Sequence, residues 1–337
     1  MTRRRILSLA LLAEAGCRRD SLQLALARAA QFLWSNQASD GGWHSRTYGL
    51  LRSGQALTPF VLDALLRVPD APLDKVDRAV GFILSNTKPN GAVGMSEPDI
   101  PDYPNYATAL SVSALRRAHR QDIAPMISYL RSQQFTQRNG WNPSHPAFGA
   151  WGMGGEPRTP PDTGHVDLSM TRHVLDALRA AGVPPADPSI QAARIFVERC
   201  QNKDGGFFFS TTESDTNKAG HDGNRHRSYG TASSDGILAM VACGHSLEDS
   251  RVTAAAHWLT EHHRDMSVPG FEGPAYDRWP RGLAFYYAAA STAAFRAIRV
   301  NPGLATIAEL ERTERSDGSW SNPENLVKED DRSLRRH

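Results

Sequence analysis

Cysteine is scarce in this chain: only Cys17, Cys200 and Cys243 occur among 337 residues. None forms a CxxC pair, which excludes a zinc site held by four cysteines, and three are too few for a disulfide scaffold. An excess of charge of one sign is also missing. The 38 Lys and Arg against 36 Asp and Glu leave a formal net charge of +2. A nucleic-acid partner needs basic residues gathered on one face, and the Arg runs Arg3-Arg4-Arg5 and Arg335-Arg336 sit at the extreme ends, so none is expected. No stretch reaches the ~20 apolar residues of a membrane-spanning helix. Sustained strand alternation is absent too. Apolar residues still make up 40% and charged residues 22%, enough to bury a large core.

What is present is a repeat. A glycine turn follows a helical segment at Asp40-Gly41-Gly42-Trp43, Asn90-Gly91-Ala92, Asn139-Gly140-Trp141, Asp204-Gly205-Gly206-Phe207, Pro269-Gly270-Phe271 and Asp317-Gly318-Ser319-Trp320. Successive first glycines lie 50, 49, 65, 65 and 48 residues apart. A period near 50 marks a chain of repeated supersecondary units. In each unit an amphipathic helix precedes the turn; Leu22, Leu26, Ala29 and Leu33 form one stripe of a 3.6-residue period. A more apolar helix follows, over residues 58–66, 106–118, 167–180, 229–243 and 282–298. Helices apolar on most faces are buried, so these predict an inner ring and the amphipathic ones an outer ring: an all-α fold, an α/α toroid. After Trp320 the expected inner helix is replaced by the charged stretch from Glu324 to Arg332, so the sixth unit reads as incomplete.

The organisation expected is therefore one toroid domain over residues 21–322, flanked by residues 1–20 and a charged tail, 323–337. Arg3-Arg4-Arg5, the apolar run Ile6–Ala13 and the small residues Ala15-Gly16 have the order of an export signal. Ala15-Gly16-Cys17 resembles the end of a bacterial lipoprotein signal, which implies a membrane tether through Cys17 and a periplasmic or cell-envelope location. The other reading of the same residues is the start of an ordinary helix.

A helix, then Gln or Asn, then Asp-Gly-Gly-Trp resembles the QW-type repeat of squalene and other triterpene cyclases. Gln37 to Trp43 is its clearest copy and Asn202 to Phe207 the next. The layout is also similar to the β subunit of protein prenyltransferases, and the likeness covers residues 22–320. The resemblance implies a ring around an apolar cavity for an isoprenoid, and an apolar small molecule or lipid as partner. The aromatic residues after the glycines, Trp43, Trp141, Phe207, Phe271 and Trp320, read as structural plugs between helices.

The chemistry of these families is less well matched. Cyclases that start by protonation carry Asp-x-Asp-Asp-Thr at the head of an inner helix, the middle Asp being the acid. The counterpart is Asp167-Leu168-Ser169-Met170-Thr171. Ser169 stands at the acid position, and an alcohol cannot protonate an alkene. Prenyltransferases use zinc held by Asp, Cys and His; the sequence has no Asp-x-Cys, and Tyr287-Ala288-Ala289 stands where Tyr-His-Thr is expected. The thioester motif of complement-like relatives is absent as well, since Cys243-Gly244-His245-Ser246 lacks its Glu and Gln. No metal site and no cofactor are expected.

Polar residues at the predicted inner-helix starts are the candidate ligand contacts: Tyr48, Tyr106, His165, Ser169, Arg227, Tyr229, Asp235 and Tyr286. Asp167 and Asp162 are the candidate acids, although Asp at a helix start is also a favoured cap. His221-Asp222 with His226 reads as a solvated loop or a metal site. Three functions stay open: a module that binds an apolar ligand without the usual acid or zinc, an isoprenoid-directed enzyme using Asp167 or Asp162, and a carbohydrate-active toroid with Asp162 and Asp235 as its carboxylate pair.

Overall fold

The computed structural model describes residues 22–46, 51–94, 96–97, 100–101, 103–212, 217–301, 305–322 and 324. Within them the chain is all-α apart from two short hairpins, β1 (Ser96–Glu97) with β2 (Ile100–Pro101) and β3 (His221–Asp222) with β4 (Arg225–His226). One series of helices is mainly buried: α2 (Leu57–Leu65), α4 (Pro104–Arg117), α6 (Leu168–Ala180), α8 (Gly230–Ala242) and α11 (Ala284–Ala297). Each packs on the next member of that series, α2 on α4, α4 on α6, α6 on α8 and α8 on α11. The second series lies outside: α1 (22–35), α3 (Leu73–Ser85), α5 (Ala124–Ser132), α7 (Pro188–Arg199), α9 (Ser250–His262) and α12 (Ala305–Thr313). A short α10 (Trp279–Gly282) leads into α11.

The QW-type turn has a mechanical explanation. The side-chain amide of Gln37 donates to the carbonyl of Gly41 in its own turn and to that of Lys75 at the start of α3. Gln134 bridges Gly149 and Ser189 in the same way, and Gln201 bridges Gly205 and Arg251. Each glutamine thus ties one unit to the outer helix of the next. The residue two after the glycine is fixed from the other side by an inner-helix hydroxyl. Thr58 accepts from Trp43 N–H, Thr108 from Val93, Thr171 from Trp151 and Ser233 from Phe207. Indole N–H groups complete the staple: Trp43 donates to Leu33 O, Trp151 to Leu130 O and Trp320 to Leu310 O. The N–H donors of this joint thereby find acceptors, as a low-dielectric interior requires.

One sequence assignment shifts. In the third unit the stapled turn is Gly149-Ala150-Trp151 and not Asn139-Gly140-Trp141. Gly149 presses on the carbonyl of Ala192 in α7, whereas Gly140 sits in a separate 3-10 turn with only Pro160 nearby. Trp141 is buried edge-on against Phe135 and donates to Arg158 O. Phe271 packs between Tyr229 and Trp279.

The ends of the outer series meet. The Arg28 guanidinium on α1 pairs bidentately with Glu314, at 2.7 and 2.6 Å. Gly318 lies against the Arg28 carbonyl, as Gly41 lies against that of Arg78. Tyr48, Cys17, the export-signal reading of residues 1–20 and nearly all of the 323–337 tail lie outside the described residues.

Candidate functional site

The starts of α4, α6, α8 and α11 surround a cavity of about 270 Å³. Its walls are largely aromatic and aliphatic, with Tyr103, Tyr106, Met153, Phe209, Tyr229 and Leu283 among them. Five sequence candidates besides Tyr106 and Tyr229 also line it: His165, Asp167, Ser169, Asp235 and Tyr286. Small residues in α8 (Gly230-Thr-Ala-Ser-Ser-Asp-Gly236) let the neighbouring helices approach closely and leave Asp235 only 2% exposed.

Asp235 is the centre of a polar network in this apolar setting. Tyr286 O–H donates to its Oδ2 at 2.8 Å, and the Ser169 hydroxyl lies 2.6 Å from the same Tyr286 oxygen. Arg172 Nε stands 3.9 Å from Asp235 and 3.0 Å from Asp176. Asp235 Oδ1 has no hydrogen-bond partner. Burial pushes the Asp235 carboxyl up to about 6, against the pull of Arg172 and the hydrogen bond from Tyr286. Removal from water disfavours the charged form of a carboxyl, and the single guanidinium does not fully offset it. Burial likewise raises Asp176, although Arg172 draws it back. Arg172 loses proton affinity by burial but is held above its usual range by Asp176 and Asp235. His173 is pushed well below the ordinary histidine range by burial and by Arg172, so it is neutral at pH 7. Its ring meets Tyr106 edge-on at 4.9 Å. The Tyr106 hydroxyl is itself raised to about 12 by burial.

Asp167 is engaged differently. Its Oδ1 accepts from Met170 N–H at 2.7 Å as the N-cap of α6, and its Oδ2 meets His165 Nε2 at 2.8 Å. Both oxygens are occupied in positioning α6 and the loop before it. Asp167→Ala is therefore expected to cost about 1–2 kcal/mol of stability, read as a lower urea midpoint with an unchanged m-value. An unchanged midpoint would remove the capping role.

Two candidates are not at the cavity. Asp162 lies in a surface loop, its side chain 70% exposed and paired with Arg158. Asp235 lines the cavity and Asp162 does not, so this cavity does not bring the two carboxylates together. Arg227 points into a separate polar surface cleft, pairs with Glu272, and donates from Nε to His221 O at 3.0 Å. The segment read as a loop at His221–His226 is the β3–β4 hairpin. His226 stacks on Phe208 at 4.6 Å, and among the described residues no three His, Cys, Asp or Glu side chains converge as a metal set.

Arg172, His173 and Asp176 were missed from the sequence. The signal was available: with Ser169 they fall at i, i+3, i+4 and i+7 of α6, a polar stripe beside the apolar Leu168, Met170, Val174, Leu175 and Leu178.

The sequence matches no protein-family model and no curated protein. Solved structures do match. The apo type II terpene cyclase MstE from Scytonema superposes with a TM-score of 0.57 at 13% identity, over 90% of this chain and 82% of that one. An MstE variant bound to geranylgeranyl dihydroxybenzoate, its substrate, gives 0.55 at 14% identity, over 90% and 82%. A protein from Actinoplanes gives 0.54 at 15% identity, over 89% and 83%. The fold is that of the terpenoid cyclases.

Proposed function

We propose that this chain is a terpene-cyclase-like protein closed into an α/α toroid, that its cavity takes an apolar isoprenoid-type molecule, and that Asp235 is the acid that acts on it. The carrying observation is the placement of Asp235 beside Ser169. Ser169 occupies the acid position of the Asp-x-Asp-Asp-Thr pattern, and it shares one partner, the Tyr286 hydroxyl, with Asp235. The carboxyl that α6 lacks arrives from α8.

A buried carboxyl that holds its proton up to about pH 6 can deliver it to an alkene carbon. The π pair forms the new C–H bond and leaves a carbocation. The carboxylate left behind lies near Arg172, which lowers the cost of releasing the proton. The rings of Tyr106 and Tyr229, which line the cavity, stabilise positive charge passing close to them. Ring closure then consumes further double bonds, and loss of a proton ends the reaction. A cavity walled by apolar groups keeps water from trapping the cation.

The bound ligand of the MstE complex suggests the class to test, a geranylgeranyl chain on a phenolic acid, with squalene as the alternative. Incubation in D₂O is expected to give a cyclised isomer that has gained one deuterium, detected by mass spectrometry. Lipid retained without conversion would make this a binding protein and remove the acid role. Failure to retain either lipid would remove the ligand as well. Leu283→Trp fills the cavity mouth and is expected to abolish retention while thermal unfolding stays cooperative.

A further inference from the structure

Two buried polar atoms near the cavity lack a hydrogen-bond partner, and they face each other. One is Nε of Arg172 on α6, the other Oδ1 of Asp235 on α8. They stand 3.9 Å apart, about 1 Å beyond hydrogen-bond distance. The guanidinium leans instead on Asp176, one turn along α6, with Nε 3.0 Å from Asp176 Oδ2. That contact is an ion pair without a hydrogen bond from Nε. Buried donors and acceptors are normally satisfied, so a donor and an acceptor left facing each other across a short gap need a cause.

The carboxyl proton supplies it. Oδ2 of Asp235 accepts from Tyr286 O–H, so the proton of the neutral acid resides on Oδ1. An Oδ1–H and an Nε–H are both donors and cannot bond each other. Once the proton has left, Oδ1 is a charged acceptor opposite a cationic donor, one of the stronger hydrogen-bond pairings.

We propose that Arg172 is a two-position residue: Asp176 holds its guanidinium back while Asp235 keeps its proton, and Nε–H closes on Oδ1 when the proton leaves. Neither Arg172 nor Asp176 lines the cavity, so both are positioning residues that act through Asp235. The inference rests on the acid role given to Asp235 and adds how one carboxyl is kept protonated at rest and yet helped to release its proton. Without Asp176 the guanidinium settles on Asp235 and the resting acid is lost. Without Arg172 the carboxylate is left unpaired in an apolar pocket.

The surroundings allow the exchange. The Asp176 side chain is 38% exposed and that of Asp235 only 3%. A charge pair screened by solvent is weaker than a buried one, so giving up Asp176 for an ionised Asp235 costs little. Asp176 is not stranded, because Arg67 and Asp63 of α2 face it, and Asp63 pairs with both Arg67 and Arg117. The other groups facing Arg172 are His173, Tyr106 of α4 and Tyr286 of α11. Asp235 also faces Ser169 and Asp167.

NMR of the full-length chain tests this, with ¹⁵N in the Arg172 side chain and ¹³C in the Asp235 carboxyl. As the solution goes from about pH 4 to about pH 8, across the rise of Asp235 to about 6, the Nε–H resonance is expected to move downfield in step with ionisation of Asp235. Its exchange with solvent is expected to slow about tenfold. In Asp235→Asn this transition should vanish. In Asp176→Asn the Asp235 carboxyl is expected to bind its proton about tenfold more weakly, and adding Arg172→Gln should cancel that difference. An Nε–H that ignores the Asp235 titration would overturn the proposal. So would an effect of Asp176→Asn that persists without Arg172, since that is direct repulsion between carboxyls. The first measurement uses the parent protein and stands if a variant does not fold. None of them needs turnover: a responding Nε–H in a protein that forms no cyclised product supports the exchange of partners and removes the acid's reaction alone.

Discussion

Gly149→Ala is expected to cost at least about 4 kcal/mol of stability, or to prevent folding, while Gly182→Ala costs about 1–2 kcal/mol. Both glycines have positive φ, +90° and +86°, so both substitutions carry the same backbone penalty for an L-residue. They differ in their surroundings. A Cβ on Gly149 would stand 1.9 Å from the carbonyl oxygen of Ala192, an atom of the α7 backbone that has no rotamer to change. A Cβ on Gly182 would meet nothing within 4 Å. Relief at position 149 requires α7 to move away. That would break the Gln134 bridge to Ser189 and loosen Trp151 from its two hydrogen bonds. Urea titration of the two variants measures the difference. Equal losses would mean that contact between units through the turn glycine contributes little.

The same joint explains how much of the fold was legible in the sequence. The Gln–Gly–aromatic repeat is local, and each of its members satisfies a specific backbone group, so spacing alone reveals it. The third unit misled because Asn139-Gly140-Trp141 has the right residues in the right order. What selects Gly149-Ala150-Trp151 is Gln134, whose amide reaches Gly149 O and Ser189 O. That is a contact between units, which a window of ten residues does not contain. The site was half legible. Tyr106, Ser169, Tyr229, Asp235 and Tyr286 sit at inner-helix starts, and topology brings such positions together at one cavity. Asp162 and Arg227 were misplaced because the Pro- and Gly-rich insertions carry them outward, and insertions do not follow the period of the helices. Arg172 was overlooked since a charged residue in mid-helix reads as surface until its carboxylate partners on two helices are known.

Asp235→Asn is expected to lower any proton-initiated turnover by at least about 100-fold, and at the same time to make the protein more stable at pH 8. The stability effect follows from linkage. Folding raises the Asp235 carboxyl from its ordinary 3.8 to about 6. Between these values the folded chain binds more protons at this group than the unfolded chain does, so stability falls as pH rises through the window. A shift of about two units is worth about 3 kcal/mol. That stability is fully present below about pH 4 and lost above about pH 6. Asparagine keeps the shape and still accepts from Tyr286 O–H, but it cannot ionise. The variant should therefore lack this component of the pH dependence and exceed the parent at pH 8 by about 3 kcal/mol, or roughly 4 °C in Tm. At pH 4 the two should melt together. Arg172 keeps Asp176 as its near partner, 3.0 Å away, so the substitution does not strand the guanidinium. A residue that served packing alone would lose stability on replacement, and its loss of turnover would follow unfolding. Here a more stable protein that no longer turns over would mark a group held in an unfavourable state for its chemistry. If the Asp235→Asn variant melts below the parent at pH 8, the carboxyl is ionised and well accommodated in its pocket, and the acid must be sought elsewhere.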